Sequence, residues 1–80
     1  MADPEIERWQ AFVNDARARG RFELESARVR ETLASTLAGH KEAEVLRSMA
    51  LSHRAQAFVE DALAELGEQK IRERQSLLST

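Results

Sequence analysis

AGHKEAEVLRSMALSHRAQAFVEDALAELG, residues 38–67, carries the strongest pattern in this chain of 80 residues. Its first glycine, Gly39, predicts a turn, and its last, Gly67, predicts the end of a helix. Between them, one row of side chains recurs at alternating spacings of four and three residues, which is typical of a helix packed closely along a partner. The row consists of Val45, Met49, Ser52, Gln56, Val59, Leu63 and Leu66. The pattern predicts a helix over about residues 41–66 that packs along another helix.

This predicted helix carries more apolar surface than an isolated hairpin needs. A second strip beside the row contains Leu51, Ala55, Phe58 and Ala62, and a third, thinner strip contains Leu46, Ala50 and Ala57. The excess indicates a homo-oligomer or a larger protein assembly. The interface residues that we expect are Trp9, Phe12, Val45, Met49, Phe58, Val59, Leu63 and Leu66. The sequence leaves open a three-helix monomer, in which the first helix covers the second strip.

The chain before the turn predicts two shorter helices. Asp3 can cap free backbone N–H groups, and Pro4 loses nothing at a first helical position. Gly20 predicts a stop, so the residues divide into helices at about 4–19 and 21–38. One continuous helix through Gly20 is the alternative, because a single exposed glycine costs only about 1 kcal/mol.

The expected fold class is all-α, in one small domain over residues 1–80. A short N-terminal helix precedes a long antiparallel helical hairpin. Residues 68–80 have few apolar side chains, so they are predicted as a short C-terminal helix or as a tail that becomes ordered on binding.

Residues that carry catalytic or metal chemistry are sparse. The chain has no cysteine, which excludes disulfides and thiolate metal sites. His40 and His53 lack the paired spacing of helical zinc ligands, and neither lies beside an evident nucleophile. Four acids, Glu60, Asp61, Glu65 and Glu68, are interpreted as a solvated face. We therefore predict a non-enzymatic protein with no catalytic residue, no cofactor and no metal.

The charges are balanced in number but unevenly placed. Twelve basic and 14 acidic residues give a net charge of −2, which does not indicate nucleic acid as a partner. The segment 17–30 is nevertheless basic, and the segment 42–68 is acidic. The candidate contacts for an anionic partner are the arginines of segment 17–30, namely Arg17, Arg19, Arg21, Arg28 and Arg30. Ordinary solvation with pairs along the helix ranks first, contact between copies second, and nucleic acid last.

Three segments resemble small helical-hairpin proteins of tailed bacteriophages, which are Arg- and Glu-rich chains encoded near portal and capsid genes. The segments are RETLASTLAG (30–39), EVLRSMA (44–50) and FVEDAL (58–63). The resemblance covers about residues 22–66 and implies a virion-associated or assembly role in many symmetric copies, without enzymatic activity. The alternative function is a small regulatory or inhibitory binder that captures a host protein or a small ligand through the arginines of residues 17–30.

The sequence contains no segment that approaches 18 consecutive apolar residues. It begins with the acidic and helix-capping run that contains Asp3, Pro4 and Glu5. We therefore expect neither a signal peptide nor a membrane partner, and a soluble protein of the cytoplasm or the virion.

Overall fold

A computed structural model of the protein describes residues 2–80, in which the chain forms two long helices. Helix α1 is Pro4–Thr36 and helix α2 is Lys41–Ser79. They lie antiparallel, and residues 37–40 form the turn between them. The hairpin measures 62 × 17 × 11 Å. Its radius of gyration is 18.1 Å, against about 12 Å for a compact domain of this length. The predicted all-α helical hairpin is confirmed.

The first helix begins and the turn forms where the sequence predicts. The Asp3 carboxylate accepts hydrogen bonds from the backbone N–H groups of Glu5 and Ile6, at 2.9 and 3.1 Å. Pro4 occupies the first helical position. At the turn, Gly39 has a φ of +89°, a left-handed conformation that glycine adopts at little cost.

Two of the three glycines do not end helices. The predicted division into helices at 4–19 and 21–38 is wrong, because α1 runs unbroken through Gly20, as in the alternative. The predicted end of the next helix near residue 66 is also wrong, because α2 continues through Gly67 and includes residues 68–79. There is thus no short N-terminal helix, separate C-terminal helix or tail in the described residues.

The physical reason is that these glycines lie where the helices approach one another. A Cβ atom at Gly20 would lie 3.5 Å from Cβ of Glu60. At Gly67 it would lie only 2.5 Å from Cγ2 of Val13 and 3.1 Å from Cδ1 of Phe12. Glycine therefore supplies space between the helices, and each helix keeps its backbone hydrogen bonds through it.

Small side chains at every seventh position form the contact between the helices. On α1 these positions are Val13, Gly20, Ala27 and Ala34, and on α2 they are Ala43, Ala50, Ala57 and Ala64. All the alanines among them are buried. The predicted row that contains Val45, Met49 and Val59 does not make the contact within the hairpin, because these three side chains are exposed. Small residues that recur every seven positions are visible in the sequence, and the sequence-based prediction did not use this signal.

Because alanines fill the contact, the hairpin buries little. Among the described residues, no large side chain is fully buried. The accessible surface is 5858 Å², whereas a compact monomer of 9.1 kDa exposes about 4,900 Å². The three-helix monomer is excluded, since Leu51 and Phe58 of the second strip remain 68% and 76% exposed. A hairpin this thin leaves most of its large apolar side chains available.

Candidate interaction surface

Charged contacts between the helices mark the two broad sides of the hairpin. On one side, Nε of Arg19 donates to the Glu60 carboxylate at 3.0 Å. This side also carries most of the large exposed apolar residues, and we name it the apolar side. On the other side, Arg54 donates two hydrogen bonds of 2.7 Å to the Glu31 carboxylate. An open groove runs along that second side, which we name the groove side.

The apolar side gathers side chains from both helices. In its centre line, Leu33 and Met49 are exposed, while Phe12 and Leu63 are half-buried. Along its edges lie Phe22, Val29, Val45, Val59 and Leu66, with exposed fractions between 43% and 68%. So many exposed apolar side chains of this size are seldom gathered on one side of a monomer. The row is therefore the strongest candidate for a functional surface.

Seven of the eight predicted interface residues come together on the apolar side. They are Trp9, Phe12, Val45, Met49, Val59, Leu63 and Leu66. Trp9 and Phe12 pack edge to face, with ring centroids 5.4 Å apart, and both are half-buried. The eighth residue, Phe58, lies on the groove side. The predicted row of α2 is thus a surface row and not the contact between the two helices.

A polar belt crosses the middle of the apolar side. Glu60 is only 6% exposed, and it accepts hydrogen bonds from Arg19 and, at 3.4 Å, from the Gln56 amide. Next along the hairpin, Nδ1 of His53 lies 2.5 Å from the Glu23 carboxylate. The belt divides the apolar side chains into a cluster near the turn and a cluster near the open end of the hairpin.

The groove side carries a cavity of about 410 Å³ that the small residues of the helix contact leave open. It is lined by Ala16, Arg17, Gly20, Arg21, Leu24, Arg54, Ala57, Phe58 and Asp61. Arg17 donates a hydrogen bond to Glu68, and this bond is the main reason why the pKa of Arg17 lies above its usual value. The hydrogen bonds from Arg54 lower the pKa of Glu31. Most of the charge around the groove is therefore already neutralised by neighbours.

The five arginines predicted as anion contacts do not form one surface. Arg17 and Arg21 line the groove, while Arg19 borders the shallower depression beside Phe22 on the apolar side. Arg28 lies 3.7 Å from the Glu25 carboxylate, and Arg30 donates to the Ser26 carbonyl at 3.1 Å. Within residues 2–80, only Arg21 of the five has no ion-pair or hydrogen-bond partner.

The remaining polar candidates do not converge on a reactive centre. His40 is exposed at the start of α2, remote from the belt that contains His53. Glu60, Asp61 and Glu68 of the acidic cluster each lie beside an arginine of α1. No group of three or more potential ligands in residues 2–80 could hold a metal ion. Neither helix has a stretch long and apolar enough to cross a membrane.

Comparison of the chain with known protein families, with curated proteins and with solved structures finds no match.

Proposed function

We propose that this chain is a non-enzymatic structural protein that self-associates through its apolar side. The observation that supports the proposal is that small and large apolar side chains lie in different places. Alanines and glycines make the contact within the hairpin, whereas Phe22, Val45, Met49 and Val59 remain outside it. A chain of this size that has no disulfide depends on the burial of large apolar side chains for its stability.

The free-energy cost of ordering the chain also favours self-association. Ordering a chain of this length costs roughly 1.5 kcal/mol per residue, and alanine burial offsets only a small part of that. A second layer of helices on the apolar side would bury the exposed side chains without moving α1 or α2. The groove side would then face outward and could dock on a larger assembly. A role in a phage virion stays a prediction from the resemblance of residues 22–66.

The test changes two residues on each side of the same helix. Met49→Glu/Val59→Glu places charges on the apolar side, and we expect the double variant to have the mass of a single chain in light scattering. Leu51→Glu/Phe58→Glu is the matched control on the groove side, where the replaced side chains are even more exposed. We expect it to keep the mass of the unmodified protein, with unchanged helix content by circular dichroism. Equal effects of the two double variants would contradict the proposal.

A second candidate function is capture of an anionic ligand with an apolar body in the groove. The supporting observation is the position of Arg21, which has no partner in the described residues and lines the cavity beside Leu24 and Phe58. Calorimetric titration with phenyl phosphate provides the test. We expect Arg21→Glu to abolish the heat of binding. No heat with the unmodified protein would contradict this candidate.

A further inference from the structure

We propose that the partner at the apolar side is one second copy of this chain, lying antiparallel to the first and completing a four-helix bundle. This inference rests on the proposed self-association and adds its geometry. It requires a two-fold axis that runs across the helices, so that the turns of the two copies lie at opposite ends. The order of side chains along the centre line of the apolar side supports this arrangement.

The middle part of each row places apolar residues at equal distances on both sides of a polar centre. Residues seven apart on α1 are Glu5, Phe12, Arg19, Ser26 and Leu33, and the last four of them give apolar, polar, polar, apolar. The corresponding residues on α2 are Glu42, Met49, Gln56, Leu63, Lys70 and Leu77, and the first five of them give acid, apolar, polar, apolar, base. A surface with this order is complementary to a copy of itself turned end to end, and its terminal charges then meet opposite charges.

The two rows share one centre, which a single two-fold axis demands. The part of the α1 row from Phe12 to Leu33 is centred between residues 22 and 23, and the part of the α2 row from Glu42 to Lys70 is centred at Gln56. Contacts between the helices place these centres at the same level of the hairpin. Arg19 contacts Glu60 on one side of that level, and Glu23 contacts His53 on the other.

An antiparallel dimer whose two-fold axis passes at the level of Gln56 places apolar residues of one copy on apolar residues of the other. Phe12 lies on the second copy's Leu33, Met49 lies on its Leu63, and Gln56 meets its own equivalent across the axis. Glu42 then lies opposite the second copy's Lys70. Apolar clusters cover one another, and the polar belts meet at the centre, where amide and charged groups can satisfy each other.

A parallel dimer, with both turns at one end, places α1 over the second copy's α2 and fits poorly. Leu33 would then lie between Glu42 and Met49, and Phe12 would lie between Leu63 and Lys70. Each of these apolar side chains would be placed beside a charged group, which is unfavourable unless a hydrogen bond replaces the lost water.

The available area fits a stable dimer. The 62 × 17 Å outline of the hairpin gives one side about 1,000 Å², so two copies bury about 2,000 Å² in total. Specific homodimer interfaces begin at this size. Each copy exposes about 1,000 Å² more surface than a compact monomer of its mass, and this excess equals the area of one side.

Single cysteines test the geometry, because the chain has none of its own. Gln56→Cys lies on the proposed axis, and we expect it to form a disulfide between copies under mild oxidation. Ala55→Cys, one residue away on an exposed outer face, is the matched control and should stay a thiol. A mixture of the Arg19→Cys and Gln56→Cys variants reports the parallel dimer, in which these two positions would meet.

The outcomes separate the geometry from the self-association itself. A disulfide formed by Gln56→Cys alone, with neither Ala55→Cys nor the mixed pair reacting, supports the antiparallel dimer. A mixed Arg19→Cys/Gln56→Cys disulfide, equal reaction of the control, or no disulfide at all in a protein of dimer mass would overturn the geometry and leave self-association standing. The mass of a single chain at every concentration would overturn both.

Discussion

Replacing Gly67 by alanine tests the close approach of the two helices most directly. In an ordinary helix this change stabilises by about 1 kcal/mol, because alanine is the better helix former. Here the new Cβ would lie 2.5 Å from Cγ2 of Val13 and 3.1 Å from Cδ1 of Phe12. Val13 is a stiff β-branched side chain that is itself buried, so the helices must move apart to relieve the overlap.

The magnitude follows from these two opposing effects. Overpacking of a well-packed contact costs about 1–3 kcal/mol, which exceeds the gain of about 1 kcal/mol in helix propensity. We expect Gly67→Ala to destabilise the protein by about 1 kcal/mol. The control is Gly20→Ala, where the new methyl group would lie 3.5 Å from Cβ of Glu60, an ordinary contact distance. We expect this variant to be about 1 kcal/mol more stable than the unmodified protein.

Thermal unfolding followed by circular dichroism measures the difference, at one protein concentration for all samples, since self-association makes Tm depend on concentration. A gap of about 2 kcal/mol between the two variants corresponds to a difference in Tm of about 8–16 °C for a chain of this length. If both alanines raise Tm equally, the helices are not in close contact at Gly67 and the reasoning about the small-residue seam fails.

Two further predictions concern the turn and an exposed ion pair. Gly39→Ala should lower stability by about 1–2 kcal/mol in the same thermal assay, because a Cβ is strained at the φ of +89°, and an unchanged Tm would refute that reason. The hydrogen bonds from Arg54 lower the pKa of Glu31 from its ordinary 4.5, so the stability from this pair is present above pH 4.5 and is lost as the pH falls through the folded-state value. Glu31→Gln should therefore lose less stability than the unmodified protein between neutral pH and acid, as measured by urea unfolding, and identical pH slopes would contradict the prediction.

The sequence predicts the class of fold because turn and capping chemistry is local. Asp3 and Pro4 start α1, and Gly39 supplies the turn, each through contacts within a few residues. Gly20 and Gly67 mislead the same reasoning, because their role depends on the other helix. A glycine that ends a helix and a glycine that admits a neighbouring helix look alike until the partner is known.

The sequence predicts the row that contains Val45, Met49 and Val59 as a helical row for an external interface. It does not predict which residues make the contact within the hairpin. The register between the helices decides this, and no local pattern gives it. The same register brings Arg19 to Glu60, which lies 41 residues away in the chain. A search for small residues seven apart would have found the true seam.

The central claim is that the apolar side is covered by another copy of the chain. Light scattering after size exclusion, on the unmodified protein over a wide range of concentrations, measures this most directly. We predict a mass of twice 9.1 kDa that falls toward a single chain only at high dilution. A mass of 9.1 kDa at every concentration, with the helices intact, would contradict the claim.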